Sequence, residues 1–473
     1  MKDSIRRISI AFLIAFAVLS ARLLLVGVVR APYLSAHPRN PRVAAVRRDI
    51  VRGGIYLSRG EPVARDSASG GPRLYMGPPG LEHLTGYEDT RYGTAGLEAS
   101  YNAELLGLGG TGGGIARFVR GLLGGGPGRG NDIILTVDAD VQRVAARAMG
   151  GRRGAAVALD PRTGAVLAMV SNPGFSPGRI ASEWDRLVKD ERSPLFNRAT
   201  LGLYPPGSAM KPIIAAIALS SGVVGPEDTF RCEGAIRVGT RARDTREVSC
   251  PDGRAHGEVT LADAIARSCN VAFAQIGWRI GQEKLYNGLR SFHFGDALPF
   301  DVPTAAGAIT VGGGGLDRPA VAQISIGQGT LAASPLQMAC AIGALANGGV
   351  MRRPYVVREV RSPDGTVLRR TPGTILDIPV AATVARRVKD MMVEAVASGT
   401  AQAAALPEVQ VAGKTGTAQN PHGAPHAWFV GFAPAEEPRC VVAVVVENGG
   451  SGGRVAAPVA REILRAALRD ALQ

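Results

Sequence analysis

The stretch LYPPGSAMKPIIAAIAL, residues 203–219, decides the fold around it, because a turn delivers one serine to the start of an apolar helix. Proline fixes φ and glycine is permissive, so the segment 204–207 (YPPG) is predicted to be a connector rather than part of a regular helix. The helix is expected to begin near Ser208, and Pro212 fits in its first turn, where a missing N–H costs little. The helix carries little polar surface, which predicts burial in the middle of a domain.

Ser208 and Lys211 form the first candidate chemical pair. Residues three apart on a helix have Cβ atoms about 5 to 6 Å apart, so the lysine amine can reach the serine hydroxyl. A serine becomes nucleophilic when a base takes its proton, and burial lowers the pKa of a lysine enough for that role, whereas arginine stays charged. The alternative is a helix-capping serine beside a surface lysine. The chain has 54 lysines and arginines, yet lysine occurs only at positions 2, 189, 211, 284, 389 and 414.

The composition bounds the class of protein. A chain of 473 residues has room for two or three domains, and 46% hydrophobic residues supply a sizeable core, which excludes a disordered protein. A net charge of +14 suits nucleic acid, an anionic membrane surface or an acidic polymer outside the cell. The basic residues form no aromatic-interleaved motif or zinc-finger spacing, so we discount nucleic acid.

Residues 8–29 form a nearly unbroken apolar run of membrane-spanning length, interrupted by two serines and Arg22. The run is too long for the core of a removable signal peptide, and no convincing cleavage site follows it. Residues 1–30 are therefore predicted to be a short N-terminal tail with a membrane anchor, or an uncleaved signal. Basic residues on both flanks leave the orientation ambiguous by charge alone.

The rest of the chain is predicted to divide into three parts. Residues 31–106 combine short mixed segments with turn residues and suggest a small non-catalytic module. Residues 107–130 are glycine-rich and are interpreted as a linker. Residues 131–473 are predicted to form the catalytic domain.

The catalytic domain has strand patterns at both of its ends. The segments 154–160 (GAAVALD) and 164–171 (GAVLAMVS) predict a hairpin, and 426–434 (HAWFVGFAP) and 439–449 (RCVVAVVVENG) predict adjacent strands. An amphipathic helix follows at 457–472. Strands at both ends with helices between them predict an α/β (α+β) domain with one sheet covered by helices.

Two further segments combine chemistry with a special local structure. Ser268 and Asn270 lie at the predicted junction of two helices, where a hydroxyl and an amide are presented together; helix capping is the alternative. The segment 413–417 (GKTGT) follows a strand-like segment, and its small residues let a substrate backbone approach closely while Lys414 adds positive potential. An ordinary turn or a phosphate loop is the alternative there.

Other active-site motifs fail on their spacing. A phosphate loop ending at Lys414 requires glycine at position 408, which is Glu408. The segment 327–332 (GQGTLA) imitates a dinucleotide fingerprint, but no acidic residue follows before Glu359. No HExxH or GxSxG segment occurs, and the six histidines are scattered.

The five cysteines form neither a disulfide scaffold nor a metal cluster by spacing, since no pair is spaced CxxC. Cys232 and Cys250 flank a polar, arginine-rich loop and are a candidate disulfide in an oxidising compartment. The remaining cysteines lie in apolar runs and are interpreted as buried thiols.

The three segments, in this order, resemble the S-x-x-K, S-x-N and K-T-G motifs of the penicillin-recognising serine acyltransferases. Their surroundings resemble a class B, monofunctional penicillin-binding protein with a short pedestal and no appended repeats. The segments that carry this likeness are 204–212 (YPPGSAMKP), 268–277 (SCNVAFAQIG), 327–349, and 411–419 (VAGKTGTAQ) with HAWFVGFAP; 52–66 and 93–107 resemble the N-terminal module. The resemblance implies a penicillin-binding, β-lactamase-like transpeptidase fold with an antiparallel sheet flanked by helices.

The resemblance also implies roles for the catalytic residues. Ser208 would be the acylated nucleophile and Lys211 its base. Ser268 and Asn270 would relay protons and bind the substrate amide, and Lys414 would balance charge across the cleft. No cofactor and no metal are implied.

The K-T-G segment would bind substrate. The resemblance assigns the terminal carboxylate to Thr415 and Thr417, with Gly416 between them in the substrate-binding strand. The backbone N–H groups of Ser208 and Thr417 would form the oxyanion hole, where a single donor is worth about 3 to 4 kcal/mol.

The implied reaction is crosslinking of peptidoglycan stem peptides with release of D-Ala, inhibited by β-lactams. It implies a membrane-anchored protein with a cytoplasmic N-terminus, an extracytoplasmic catalytic domain and a partner glycosyltransferase of the shape, elongation, division and sporulation family. The alternatives are a β-lactamase or β-lactam sensor and a catalytically silent scaffold. Glu283 and Asn287 match a class A lactamase signature by letters, but they follow Asn270 too closely and are interpreted as a helix face.

Overall fold

The computed structural model describes residues 2–26, 50–67, 71–108, 128–239, 246–309 and 317–469. The helices are α1 (Lys2–Leu24), α2 (Glu82–Thr85), α3 (Gly96–Ser100), α4 (Asn102–Leu105), α5 (Ala139–Met149), α6 (Ile180–Lys189), α7 (Lys211–Ser220), α8 (Leu261–Ala266), α9 (Asn270–Ile280), α10 (Gln282–Ser291), α11 (Arg318–Ser325), α12 (Pro335–Ala346), α13 (Ala382–Ala397) and α14 (Gly452–Ala467). Short 3-10 turns occur at Pro177–Arg179, Gly207–Met210, Pro251–Gly253 and Gln402–Ala404.

The strands of the described residues fall into two larger sheets and several two-stranded pairs. They are β1 (Ile50–Val51), β2 (Ile55–Tyr56), β3 (Pro62–Arg65), β4 (Leu74–Tyr75), β5 (Glu88–Asp89), β6 (Gly93–Thr94), β7 (Gly128–Arg129), β8 (Asp132–Leu135), β9 (Gly154–Leu159), β10 (Val166–Asn172), β11 (Thr229–Cys232), β12 (Ala235–Val238), β13 (Arg246–Ser249), β14 (Gly257–Thr260), β15 (Met351–Arg352), β16 (Val357–Arg361), β17 (Val367–Arg370), β18 (Ile375–Asp377), β19 (Ala412–Ala418), β20 (His426–Ala433) and β21 (Cys440–Val446).

The central sheet is antiparallel, with strand order β10-β9-β21-β20-β19. The predicted hairpin of β9 and β10 and the predicted pairing of β20 with β21 are confirmed. Every residue of β21 is buried, because helices cover both faces of the sheet. Its apolar run therefore divides between two cores by strand alternation: Val441 and Val445 face one, and Val442 and Val444 face the other.

Helices α5 and α14 pack together on one face of the central sheet. On the other face lie α7, α12 and α13, and every residue of α12 is buried. Ile213 and Ile214 of α7 are inaccessible to solvent, which confirms the prediction of a buried helix after the YPPG segment. Strand β19 is the edge strand of the central sheet. Its outer edge pairs with no other strand of the sheet and is therefore free to face this helical core.

The second large sheet joins distant parts of the chain, with strand order β17-β16-β8-β2-β3-β4. Strand β8 pairs in parallel with β2 and antiparallel with β16. Strand β8, at the predicted start of the catalytic domain, thus lies between β2 of the N-terminal module and β16, which follows β8 by more than 200 residues in the sequence. Hydrogen bonds therefore connect this module continuously to the rest of the molecule.

Helix α1 contains a stretch, Ile5–Leu24, that is long and apolar enough to cross a membrane, and its described side chains lie outside the protein core. The predicted apolar run extends further, to residue 29, but residues 27–49 lie outside the described part of the chain. Most of the predicted linker, residues 109–127, also lies outside it.

Candidate active site

Ser208 lies in the 3-10 turn Gly207–Met210, directly before α7 begins at Lys211. Gly207 has φ of +56°, a left-handed conformation that glycine adopts without strain, and its N–H donates to the carbonyl of Gly327 over 2.8 Å. Gly327 is also left-handed, and a Cβ there would lie 2.0 Å from the oxygen of Gly207. Two glycines therefore let the loop at 327–332 pack directly on the turn that carries the serine.

The amine of Lys211 is completely buried. Its Nζ donates to the Ser268 carbonyl and to Asn270 Oδ1, both over 2.7 Å, and lies 3.2 Å from Ser268 Oγ. Burial lowers the pKa of Lys211 to about 7, although two neighbouring thiols, Cys269 and Cys250, favour the charged form. A large fraction of the amine is thus neutral near neutral pH and carries a lone pair that accepts a proton.

The helix junction predicted around Ser268 is confirmed between α8 and α9. Ser268 itself has φ of +60°, a conformation that non-glycine residues seldom adopt and that costs energy. Cys269 then caps α9, its Sγ accepting from the N–H of Ala272 over 3.4 Å. This reversal directs the Ser268 carbonyl and hydroxyl and the Asn270 amide toward the same lysine.

Lys414 lies on the edge strand β19 and is also completely buried. Its Nζ donates to Thr400 Oγ1 over 3.2 Å and to the Thr415 carbonyl over 3.1 Å. Burial first, and the positive charge of Lys211 second, hold the pKa of Lys414 well below its ordinary value. The two amines therefore belong to one electrostatic site.

The edge strand contacts the serine turn directly at Gly416. A Cβ on Gly416 would lie 2.6 Å from the carbonyl oxygen of Pro206 and 3.0 Å from the amide nitrogen of Ala209. Only glycine permits this approach of the protein's own turn, whereas the sequence prediction expected the small residues to admit a substrate backbone. Thr417, the next residue, is exposed beside the turn, so the structure brings the three predicted segments to one cleft.

Comparisons with known proteins agree with this geometry. The profile of the penicillin binding protein transpeptidase domain matches residues 154–465. The chain is 34% identical to the peptidoglycan D,D-transpeptidase PbpA of Mycolicibacterium smegmatis, over 99% of this chain and 100% of the relative. The chain belongs to the class B penicillin-binding proteins.

Two further relatives of this penicillin-binding protein extend the comparison. The solved structure of penicillin-binding protein A from M. tuberculosis, a ceftriaxone acyl-enzyme complex, is 33% identical, covers 90% of this chain and 100% of that chain, and superposes with a TM-score of 0.83. The D,D-transpeptidase MrdA of Acinetobacter baumannii is 32% identical over 78% of this chain and 57% of its own length. The chain is thus a peptidoglycan D,D-transpeptidase by family, with the transpeptidase fold that the sequence predicts.

Several contacts of this penicillin-binding site were not predicted from the sequence. Thr400 Oγ1 accepts a hydrogen bond from Thr415 Oγ1 over 2.9 Å as well as one from Lys414. The Tyr204 hydroxyl donates to Glu447 Oε1 over 2.7 Å and thereby fixes the start of the YPPG connector. Neither Thr400 nor Glu447 lies in a pattern with recognisable spacing, and only the chain fold brings them to the site.

The candidate disulfide is not formed in the structure. Cys232 and Cys250 are free, with Sγ atoms 3.6 Å apart, whereas a disulfide requires about 2.05 Å. The Sγ of Cys269 lies 3.7 Å from that of Cys250, so a third thiol shares the space. The sequence prediction considered only a pair, because Cys269 lies in an apolar run and was interpreted as a separate buried thiol.

The letters of the class A lactamase signature lie away from the cleft. Glu283 and Asn287 are both exposed on α10, as the helix-face interpretation expected. Neither side chain has a described hydrogen bond to the motif residues.

Proposed function

We propose that Ser208 of this D,D-transpeptidase is the acylated nucleophile and that Lys211 is its base. The observation that carries the proposal is the environment of the Lys211 amine, which is buried and donates only to described oxygens of the S-x-N turn, none of them a carboxylate. A lysine buried without a carboxylate partner is held toward its neutral, proton-accepting form. Lys211 also follows Ser208 by three residues, on the same turn of helical structure.

The proposed acylation involves two proton transfers. Ser208 Oγ attacks the carbonyl carbon of the D-Ala-D-Ala bond, and its proton moves to the neutral Lys211 amine. The C–N bond breaks, the leaving D-Ala amine receives a proton through the Ser268 hydroxyl, and a serine ester remains. An amine of a second stem peptide attacks this ester, loses a proton to the same groups and restores the serine hydroxyl, which forms the crosslink.

The edge strand supplies the charge-stabilising groups. The N–H groups of Ser208 and Thr417 bind the oxyanion of the tetrahedral intermediate, where each donor is worth about 3 to 4 kcal/mol. Thr415 and Thr417 bind the terminal carboxylate of the substrate, and Lys414 supplies positive potential. Gly416 lets the edge strand pack directly against the serine turn at Pro206 and Ala209.

β-Lactams are proposed to acylate the same serine. The M. tuberculosis relative has been solved as acyl-enzyme complexes with ceftriaxone and with imipenem. The lactam carbonyl takes the place of the D-Ala-D-Ala carbonyl, but the leaving amine stays tethered, so the ester persists. This persistence separates a transpeptidase from a lactamase.

The membrane helix gives the proposed location. Helix α1 would anchor the chain with its N-terminus in the cytoplasm and the catalytic domain outside, where stem peptides are crosslinked. A glycosyltransferase of the shape, elongation, division and sporulation family is the proposed partner, because strands newly polymerised at the membrane need crosslinking there.

The test uses the full-length chain in detergent. Labelling with fluorescent penicillin, followed by mass spectrometry of the modified peptide, is expected to place a stable adduct on Ser208, absent from Ser208→Ala and retained in Ser221→Ala at the far end of α7. Rapid loss of the label would indicate a lactamase instead. A folded protein without an adduct would indicate a silent scaffold.

A further inference from the structure

A largely buried carboxylate lies just beyond β21, outside the three catalytic segments. The side chain of Glu447 is 12% exposed, and its Oε1 accepts from Arg198 Nε and from the Tyr204 hydroxyl, each over 2.7 Å. Its Oε2 pairs with Arg153, which directly precedes β9. The buried Arg198 guanidinium also donates to the carbonyls of residues 192 and 193. Cations from two other segments therefore hold this carboxylate in place where it meets Tyr204.

Tyr204 links this carboxylate to the connector before Ser208. Burial first, and the charge of Glu447 second, raise the pKa of Tyr204 well above its ordinary value, so the hydroxyl keeps its proton and donates. The Tyr204 ring packs edge-on against the indole of Trp428, with ring centroids 6.2 Å apart. The Tyr204 backbone N–H and carbonyl exchange hydrogen bonds of 3.1 and 3.0 Å with Ala333. Side chain and backbone together thus fix the residue that opens the connector.

Trp428 holds the same connector from the side of the K-T-G segment. This residue is completely buried on β20 and lies opposite Gly416 in the register of β20 with β19. Its indole Nε1–H donates to the carbonyl of Pro205 over 3.0 Å. Because β19 pairs with β20 along its whole length, this hydrogen bond sets the position of the connector relative to the strand that carries Thr417.

The turn that follows Glu447 contacts the loop between β19 and β20. Asn448 has φ of +54°, a left-handed conformation that asparagine adopts more readily than most residues. Its N–H donates to His426 Nδ1 over 3.1 Å, and its Oδ1 accepts from Asn420 Nδ2 over 2.6 Å. Asn420 lies three residues after Thr417 in the sequence. Two adjacent residues of this turn therefore contact both sides of the cleft, one the serine connector and the other the chain beyond the K-T-G segment.

The proposed oxyanion hole requires these two sides of the cleft to be held together. It takes one N–H from Ser208 and one from Thr417, which lie more than 200 residues apart in the sequence. Such donors are effective when both lie about 2.7 to 3.1 Å from the developing oxyanion. We propose that Glu447 is a positioning residue of the transpeptidase reaction, which acts through Tyr204 to fix the spacing of these two donors. This inference rests on the proposed function, because it takes Ser208 as the nucleophile.

The test separates penicillin binding from acylation in the full-length chain in detergent. Tyr204→Phe removes only the hydroxyl that donates to Glu447 and leaves both arginines paired with the carboxylate. Acylation by fluorescent penicillin, measured over a concentration series, should show a first-order rate constant lower by about 10- to 30-fold. The dissociation constant of the complex before acylation should be unchanged, because the carboxylate-binding threonines are not altered. Tyr286→Phe, which removes an exposed hydroxyl on α10, is the matched control and should acylate at the wild-type rate.

Two further measurements distinguish positioning from a simple loss of stability. Deacylation uses the same oxyanion hole, so Tyr204→Phe should release the bound label more slowly, whereas a loosened fold would release it faster. Glu447→Gln should also slow acylation. The double variant should be no slower than the slower single variant, because Glu447 acts through Tyr204.

Three results would overturn the inference while the adduct on Ser208 stands. They are acylation of Tyr204→Phe at the wild-type rate, an effect on the dissociation constant alone, and faster release of the label together with a lower melting temperature, which indicates a structural role. Failure of the proposed function would be seen in the wild type instead, as a folded protein without an adduct on Ser208. That result would overturn this inference as well.

Discussion

Two clusters of buried cations, one in the N-terminal module and one in the catalytic cleft, are built on opposite principles. In the module, Arg52 Nε donates to Glu98 over 2.8 Å, and Arg73 pairs with the same buried carboxylate. In the cleft, the described contacts of the Lys211 and Lys414 amines are hydroxyl, carbonyl and amide oxygens, with no carboxylate among them. The first arrangement compensates charge, and the second leaves it uncompensated.

The pKa values follow from this difference. Burial opposes ionisation of Glu98, but Arg52 and Arg73 outweigh it and hold the pKa of that carboxyl below its ordinary value. Burial is not outweighed at Lys211, whose pKa falls to about 7. A compensated cluster stays charged and stabilises the fold, whereas an uncompensated lysine exchanges protons near neutral pH. Lysine suits position 211 in this arginine-rich chain, since arginine cannot lose its proton.

The largest expected effect is on the uncompensated cluster. Lys211→Met keeps the length of the side chain and removes the proposed base, so the second-order rate constant for acylation by fluorescent penicillin should fall by about 10²- to 10⁴-fold. The matched control is Lys284→Met, an exposed lysine on α10, which should acylate at the wild-type rate. Near-normal acylation of Lys211→Met would mean that another group takes the serine proton.

The compensated cluster should respond in stability instead. Glu98→Gln leaves two buried guanidinium groups without their shared carboxylate, and breaking a buried ion pair in this way costs about 3 to 5 kcal/mol of unfolding free energy. Thermal unfolding should show a clear drop in melting temperature, while acylation per folded molecule stays unchanged. Glu227→Gln, at an exposed glutamate, is the control. A Glu98→Gln protein as stable as wild type would mean that this cluster does not stabilise the module.

The pH dependence of acylation distinguishes the two clusters further. Lys211 is proposed to act as a base when its amine is neutral, so the acylation rate should rise with pH through about 7 and reach a plateau above it. For a single group this is about a tenfold rise between pH 6 and pH 8. A flat profile over that range in the wild type would contradict a base with this pKa. Glu98→Gln should leave the profile unaltered, because its cluster does not titrate there.

The sequence predicted which segments meet at the candidate site better than it predicted the residues around them. Ser208, Lys211 and the S-x-N and K-T-G segments are local patterns whose residue types and spacing carry physical meaning. The central strands are apolar runs that the sequence shows directly. Thr400, Glu447 and the convergence of Cys232 with Cys269 depend on contacts between distant segments. Such contacts follow from the register of the sheets and the packing of the helices, which no single stretch of sequence encodes.

The smallest expected effect comes from substitution of Thr400. This substitution tests whether a neutral hydroxyl takes the place of a carboxylate beside Lys414. Thr400 Oγ1 accepts from Lys414 Nζ and from Thr415 Oγ1, so Thr400→Val removes both partners with little change in shape. Loss of hydrogen bonds worth about 1 to 1.5 kcal/mol should slow acylation roughly tenfold, and Thr400→Ser should restore most of the rate because it returns the hydroxyl.

Thr400→Asp is the sharper variant. A carboxylate there would compensate Lys414 as Glu98 compensates its arginines, and it would repel the substrate carboxylate, so binding of penicillin before acylation should weaken more than the acylation step itself. If Thr400→Asp instead acylates faster than wild type, the absence of a carboxylate from the cleft is not what the reaction requires.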